Sequence, residues 1–399
     1  MSTTQTSSPP VGSTISRAQT WLLAVVAGLA AASLYYVQPL LEGIGRQFSV
    51  GTGQVSLLVT ASQVGYVAGL ALLVPLGDTH NRRRLLTTLM MLASLALALT
   101  ALAPTFWSLL AGLIAVGVTA SSAMVAVPYA AALADASQRG RVTGSVMSGV
   151  LLGILLARTA SGAIAGPTSW RVVFAVAAIL SLVLAVITRR VLADDTQTKN
   201  DSPYGQVLAS VLRVVRDEPV LRARLVLGAL VMFGFSAMWT SIAFLLAGHY
   251  HYGETTIGLF GLVGAAGAAG AQLVGRIADR GHGQHATTAG WVLAAIGWVL
   301  LWAGATSLTA LLAGLIVFDF ATQALQVSNQ ARIYQLAPQL RGRITTAYMV
   351  TFFLGGAAGS LTSGAVYTAA GWHGVCLTGL ATAALGLALW ATIYRPRHQ

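Results

Sequence analysis

Charge is scarce in this chain: 9% of its 399 residues are Asp, Glu, Lys or Arg, whereas 56% are hydrophobic. A soluble domain carries about 25% charged residues, which cover much of its surface. A chain with so little charge cannot coat a globule of this size, so the composition excludes an ordinary soluble protein. We expect most of the surface to face lipid.

Cysteine is almost absent as well, since Cys376 is the only one. A single cysteine excludes an intramolecular disulfide framework and a cysteine-rich metal site. The seven histidines fall in loops, near the ends of apolar runs or at the C-terminus. The sequence contains no His-Glu-x-x-His, Ser/His/Asp or paired-carboxylate arrangement, so we predict no enzyme, no metal site and no cofactor.

Apolar runs long enough to cross a bilayer are abundant, since about 20 residues suffice in a helix. They predict an all-α membrane protein with twelve transmembrane helices in two pseudo-symmetric six-helix bundles, residues 20–189 and 224–394. Residues 1–19 and 395–399 are expected to be cytoplasmic tails, the first uncleaved because it lacks a basic n-region and a cleavage site. The runs lie at 20–42, 53–76, 84–103, 106–133, 142–166, 170–189, 224–247, 255–275, 286–304, 308–334, 343–369 and 373–394.

The longest connection, residues 190–223, holds the only lysine, Lys199, and five of the eleven acidic residues. It is predicted to be a cytoplasmic linker between the bundles, with a short amphipathic helix around 204–216. Its polar composition contrasts with the short loops that join the other runs.

Basic residues predict the orientation, because they concentrate in cytoplasmic loops. With a cytoplasmic N-terminus, nineteen of the 23 basic residues, Arg224 among them, fall in cytoplasmic tails and loops, and only Arg46 and Arg171 face outward. We therefore expect a multi-pass protein of the inner (plasma) membrane with both termini cytoplasmic. Scattered over loops in this way, the basic residues indicate topology anchors and exclude a nucleic-acid surface.

The two halves of the sequence repeat each other. "DASQRGRVTGSVMSGVLLG" (135–153) aligns with "APQLRGRITTAYMVTFFLG" (337–355) at an offset of 202, and Asp78 aligns with Asp279 at an offset of 201. Internal repeats are typical of transporters, whose substrate sites lie near the bilayer midplane where the repeats meet.

With these motifs the chain resembles the major facilitator superfamily over essentially its whole length. "VPLGDTHNRRR" (74–84) and "GRIADRGHG" (275–283) are similar to the family's loop motif Gly-x-x-x-Asp-…-Gly-Arg-[Arg/Lys], although Val74 stands where a glycine is usual. The resemblance implies a cytoplasmic latch that stabilises one access state. Its residues would be Asp78, Arg82, Asp279 and Arg280.

Three further segments resemble a bacterial inner-membrane, efflux-type subgroup of the family, similar to drug/sugar:proton antiporters. They are "YYVQPLL" (35–41), "ILLARTASG" (154–162) and "NQARIYQLAPQLRGR" (329–343). The middle one lies within "GVLLGILLARTASGAIAG" (149–166), which is similar to the glycine-rich fifth span of proton-coupled drug antiporters, with Arg158-Thr159 in place of a Gly-Pro step. The resemblance implies alternating access, a small-molecule substrate, protons as coupling ion and a functional monomer in the lipid bilayer.

Two charges lie inside spans: Asp319 is about 16 Å from the start of its span, and Arg158 is about 12 Å from the end of its own. An Asp at the centre of a span costs about 3 kcal/mol on insertion scales, so such a residue faces a cavity or a partner. Asp319 is either a proton-coupling carboxylate or half of a structural ion pair. Arg158 either pairs with Asp319 in one access state or binds an anionic substrate directly.

A polar stripe continues from Asp319 along the same span. Gln323, Gln326 and Gln330 follow it at i+4, i+7 and i+11, on one helical face, with Asn329 beside them. The stripe predicts either the wall of a water-filled path or hydrogen bonds between helices.

The other candidate cavity residues lie on the first, fourth and seventh spans, which surround the cavity in the family. All are candidate substrate contacts, and for the tyrosines and the tryptophan the alternative is a place in the interfacial aromatic belt. The candidates are Tyr35, Tyr36, Gln38, Tyr129 and Trp239.

Together these features predict a secondary active transporter of a small organic solute that works by alternating access, with proton-coupled efflux by antiport as the first hypothesis. A symporter or facilitator for an organic anion, using Arg158, is the alternative. A non-transporting membrane sensor of the same fold is the third hypothesis, and the lack of a soluble output domain argues against it.

Overall fold

The computed structural model describes residues 15–194, 204–277, 283–336 and 340–393, and within these ranges the regular secondary structure is entirely helical. Short 3₁₀ helices at Gln38–Leu40 and Val74–Asp78 supplement the α-helices. The α-helices are α1 (Arg17–Ala32), α2 (Leu41–Phe48), α3 (Thr52–Val55), α4 (Leu57–Leu72), α5 (Arg82–Ala101), α6 (Phe106–Ala120), α7 (Ser122–Leu133), α8 (Arg139–Ala165), α9 (Trp170–Val191), α10 (Tyr204–Asp217), α11 (Pro219–Gly248), α12 (Glu254–Ile277), α13 (Gly283–Ala303), α14 (Leu308–Ile333) and α15 (Arg341–Ile393).

Within the described residues, each predicted span overlaps one or more helices. The second span is built from α3, α4 and the following 3₁₀ helix, and the fourth from α6 and α7. The last two spans lie in α15, whose helix is broken at Gly371 (φ 64°, ψ −160°). In the described residues, nine helical segments are long and apolar enough to cross a membrane, and the amphipathic helix predicted in the linker is α10.

Side-chain caps set where several helices begin. Ser16 and Gln19 form a reciprocal capping box at the start of α1, and Thr105 and Ser108 form another at the start of α6. Such a box satisfies two of the backbone N–H groups that a helix start leaves without partners. Inside a bilayer an unpaired N–H group has no water to bind, so these caps favour helix ends at the membrane surface.

The bundle has two ends, which we call the terminal face and the opposite face. At the terminal face the start of α1 meets the end of α9, where Gln19 Nε2 donates to the Val191 carbonyl at 3.0 Å. At the opposite face α2 meets the start of α9, where Trp170 Nε1 donates to Gln47 Oε1 at 2.6 Å. Arg171 also lies there and donates to the Ala103 carbonyl at 2.8 Å.

Glycines bring helix backbones into contact at equivalent places in the two halves, α1–α9 and α11–α15. A Cβ on Gly153 of α8 would lie 2.1 Å from the Gly28 carbonyl oxygen of α1. A Cβ on Gly355 of α15 would lie 2.2 Å from the Ala229 carbonyl oxygen of α11. Gly153 and Gly355 are 202 residues apart, the offset of the sequence repeat. The repeat is therefore also a repeat of close helix packing.

Large apolar side chains cover much of the outer surface. Leu102, Trp107 and Ile179 are 76%, 65% and 62% exposed, and many other leucines, valines and isoleucines are exposed with them. An apolar surface of this extent is costly in water and is matched by lipid. The fold is therefore an all-α membrane protein, as the composition predicts.

Candidate substrate and proton site

The two halves meet along two pairs of helices, and α8 with α12 is the first. Thr159 Oγ1 donates to the Gly258 carbonyl at 3.0 Å, and Thr255 Oγ1 donates to the Gly162 carbonyl at 3.2 Å. A Cβ on Gly162 would lie 2.3 Å from the Glu254 carbonyl oxygen, so the two backbones touch.

The second pair joins α3 and α4 to the first part of α15. The hydroxyls of Thr52 and Thr368 lie 2.9 Å apart near the opposite face, and Ser360 donates to the Ser56 carbonyl at 3.2 Å. At a deeper level Gln63 Nε2 donates to Ser236 Oγ of α11 at 2.8 Å. Both pairs therefore close the halves against each other from the opposite face to mid-depth.

An open pocket of about 430 Å³ lies between the halves at the opposite face, lined in part by Arg46 and Glu254. Glu254 begins α12 and packs on the other half, because a Cβ on Gly43 would lie 2.0 Å from its Oε1. Burial raises the pKa of Glu254, and the positive charge of Arg46 opposes that shift.

Arg158 occupies the mid-depth end of this seam and is 4% exposed. Its Nε donates to Gln38 Oε1 at 2.5 Å, and its Nη2 has no hydrogen-bond partner. Its Cζ lies 4.0 Å from the centre of the Trp239 ring, 4.9 Å from that of Tyr35 and 5.6 Å from that of Phe235. Three aromatic faces thus stabilise the buried cation.

Asp319 lies across the seam from Arg158, on α14, and is 3% exposed. Its Oδ1 accepts a hydrogen bond from Trp239 Nε1 at 3.2 Å. Its other oxygen faces α12, where a Cβ on Gly264 would lie 2.1 Å from Oδ2. Only glycine at position 264 leaves room for the carboxylate in this position.

The indole of Trp239 therefore stands between the two charges. Its face stacks on Arg158 and its N–H donates to Asp319. Arg158 and Asp319, both described, interact electrostatically but form no ion pair within 4 Å. The structure brings the two predicted charges together, and their direct pairing in another access state stays a prediction.

The remaining predicted cavity residues divide into two groups. Tyr35 and Gln38 contact Arg158, and the carbonyl of Tyr36 accepts a hydrogen bond from Ser161 at 2.6 Å in the same region. Tyr129 is not brought to this cluster. It is buried in the core of the N-terminal half, and its hydroxyl donates to the Ala193 carbonyl.

The polar stripe on α14 is graded in exposure. Asp319 is buried, whereas Gln323, Gln326 and Gln330 are partly exposed between it and the terminal face. Asn329 is buried and belongs to a different cluster, described below.

At the terminal face, Arg82 lies 3.8 Å from Asp78. Asp78 also lies in the electrostatic field of Arg343, at the start of α15 in the other half. Arg343 is not among the latch residues predicted from the sequence, although it stands in the repeated Arg-Gly-Arg motif. Asp279 and Arg280, the other predicted latch residues, lie outside the described residues.

Arg224 corrects one expectation. The sequence predicts it in a cytoplasmic loop, whereas in the structure it lies inside α11 and is 7% exposed. The reason is that α11 begins at Pro219, five residues before the predicted start of the span. Proline is favoured at the first position of a helix, because an N–H group at that position has no partner within the helix and its loss costs nothing.

Comparisons with known proteins show what this chain is similar to. The family model described as Major Facilitator Superfamily matches residues 23–289. The uncharacterized transporter YgaY of Escherichia coli O157:H7 is 43% identical over 370 residues, 92% of this chain and 94% of that protein. A transporter of Streptomyces coelicolor is 35% identical over 378 residues, 94% of this chain and 87% of that protein.

The same architecture occurs among solved structures. A bacterial homolog of the human lysosomal transporter Spinster superimposes with a TM-score of 0.79 at 14% identity, covering 94% of this chain and 95% of that one. At that identity the likeness concerns the fold. Because its relatives are transporters, the expectation of a transport protein that is not an enzyme is confirmed.

Proposed function

This chain belongs to the major facilitator superfamily and is a membrane transporter, and we propose that it exports a small organic solute in exchange for protons. Alternating access moves the solute from the terminal face, which is cytoplasmic, to the outer side of the inner membrane. The resemblance of the fifth span to proton-coupled antiporters supports this direction.

One observation carries the proposal: Asp319 is the only acidic residue in the interior of an apolar run, and it lies at the seam of the halves. In the arrangement described above, the Trp239 N–H group and the positive charge of Arg158 favour its ionised form. Arg158 belongs to the other half, so rocking of the halves changes its distance from Asp319. The access state and the protonation of Asp319 are thereby coupled.

The test uses purified protein in liposomes with an imposed pH gradient, after a substrate screen in a strain lacking its own efflux pumps. The wild-type protein should move the solute in response to the imposed pH gradient. Asp319→Asn should lose this response but still exchange labelled for unlabelled solute, because that exchange needs no proton. Asp135→Asn, which removes a charge from an exposed loop, is the matched control and should behave as wild type. An Asp319→Asn protein with unchanged pH dependence would refute the proposal.

Arg158 supports a second candidate, transport of an organic anion by symport or facilitation. Its buried Nη2 has no hydrogen-bond partner, so a carboxylate of the solute can accept from it. In this case Arg158→Gln should abolish transport of anionic solutes, while Asp319→Asn should leave them moving without a proton gradient. A screen that finds only cationic or neutral substrates would contradict this second candidate.

A further inference from the structure

A second buried arginine lies far from the Arg158 site. Arg224 is the sixth residue of α11, about 8 Å from the start of the helix. Its Nη1 donates to Asn329 Oδ1 of α14 at 3.0 Å, and its Cζ lies 4.7 Å from the centre of the Trp390 ring. Neither the central seam nor the polar stripe uses this group.

No acid balances the charge of Arg224 among the described side chains. The charged neighbour that acts on it most is Arg332, near the end of α14, and the effect is repulsive. Tyr348 of α15 is the next, and it is a neutral phenol. A buried guanidinium without a carboxylate is costly, so the surroundings favour an anion from outside the chain.

Two further polar groups of this cluster are incompletely bonded. Asn329 and Tyr348 are each 1% exposed. Neither Asn329 Nδ2 nor the Tyr348 hydroxyl has a partner at normal hydrogen-bond geometry. A side-chain hydrogen-bond interaction links the two residues to each other, and it leaves the phenol proton of Tyr348 without an acceptor. Because Asn329 Oδ1 already faces Arg224, its amino group remains as a donor. Guanidinium, amide and phenol thus supply donors for an acceptor that the chain does not provide.

The cluster lies near the terminal ends of three helices. Asn329 is four residues from the end of α14, about 6 Å, and Tyr348 is seven residues from the start of α15, about 10 Å. This is the depth at which a bilayer changes from hydrocarbon to head groups. Basic pockets between transmembrane helices at this level bind lipid head groups.

We propose that Arg224, Asn329 and Tyr348 form an oxyanion site for a phosphate group, carried either by an anionic phospholipid or by a soluble solute. The guanidinium balances the charge, and the amide and the phenol donate to the remaining phosphate oxygens. The site is separate from the Arg158–Asp319 seam, so it does not depend on the transport mechanism proposed above.

The sharpest test is Asn329→Asp. The new carboxylate replaces an oxygen that already accepts from Arg224, so the chain then supplies its own anion. Wild-type protein in neutral detergent should be thermally stabilised by inorganic phosphate, saturably and more than by chloride at equal ionic strength. In nanodiscs it should be stabilised by phosphatidylglycerol over phosphatidylcholine. Asn329→Asp should need at least tenfold more phosphate or phosphatidylglycerol for the same effect.

The matched control is Gln330→Glu, which makes the same change of charge one residue away on a partly exposed side chain and should respond as wild type. If Asn329→Asp does not fold, Tyr348→Phe removes one donor and should weaken the response several-fold. A response to phosphate alone identifies a soluble ligand, and a response to phosphatidylglycerol alone identifies a lipid. Either supports the proposal. The proposal is overturned if neither phosphate nor phosphatidylglycerol stabilises the wild-type protein. It is also overturned if the Asn329 and Tyr348 variants that fold respond in the same way as the wild-type protein.

Discussion

Replacing Trp239 with Phe separates the two contacts of its ring. A phenyl ring can still stack on Arg158, 4.0 Å away in the wild-type protein, but it has no N–H group to donate to Asp319. The substitution therefore removes one stabilising interaction from the ionised carboxylate and leaves the cation covered.

The size of the effect follows from the hydrogen bond that is lost. A hydrogen bond to a charged group contributes about 1.5–3 kcal/mol. At 3.2 Å this bond is long, so we take the lower part of that range. Since about 1.4 kcal/mol corresponds to one pH unit, the midpoint of the pH–rate profile should move upward by about one unit.

The assay is the initial rate of transport in liposomes between pH 5 and pH 9, with the maximal rate and the apparent substrate affinity measured separately. Trp298→Phe is the control, because that indole is equally buried but packs on Phe318 and not on the charges. An unchanged midpoint in Trp239→Phe, or an equal shift in the control, would show that the indole does not link Asp319 to Arg158.

Three further results are expected. Gly264→Ala should lower transport at least tenfold while the protein still inserts normally into the membrane, because the new Cβ would lie 2.1 Å from the Asp319 carboxylate. Transport activity and the amount of protein in the membrane are both measured, and wild-type activity at normal yield would contradict this. Cysteines in place of Thr52 and Thr368, in a variant lacking the native cysteine, should cross-link under mild oxidation and stop transport until a reductant is added, since the two hydroxyls lie 2.9 Å apart. Burial raises the pKa of Glu254 when its side chain is packed between the two halves. The packed arrangement therefore binds a proton as the pH falls, and it becomes less stable as the pH rises through the raised pKa. Glu254→Gln should therefore keep the opposite face closed at every pH. The measurement is the distance between spin labels at positions 52 and 368. If the face of the variant still opened as the pH rose, the explanation would be wrong.

Depth in the membrane was predictable from the sequence. Hydropathy locates each span, and a rise of 1.5 Å per residue gives the level of every side chain in it. Arg158 and Asp319 were placed at comparable depths in this way, and the structure brings them to one cluster. The amphipathic helix α10 was predictable for a similar reason, because its periodicity is local.

Which neighbour a side chain meets was not predictable, because that depends on how each helix is rotated within the bundle. Tyr129 has a suitable span but points into the core of its own half. Asn329, on a predicted cavity helix, bonds instead to Arg224, whose burial depends on where α11 begins. Trp239 was a cavity candidate, but nothing in the sequence placed its ring between the two charges.

The break at Gly371 has a consequence for how the chain is made. Its backbone is in a region that L-residues rarely adopt. A Cβ at this position would meet no atom within 4 Å, so another residue would be strained by its backbone conformation and not by crowding. The reversal occurs within one residue, and no polar loop separates the last two spans. We therefore expect the insertion machinery to deliver them into the bilayer together as a helical hairpin. A reporter fused just after Gly371 should destabilise the preceding span as well, whereas one fused after the last span should not.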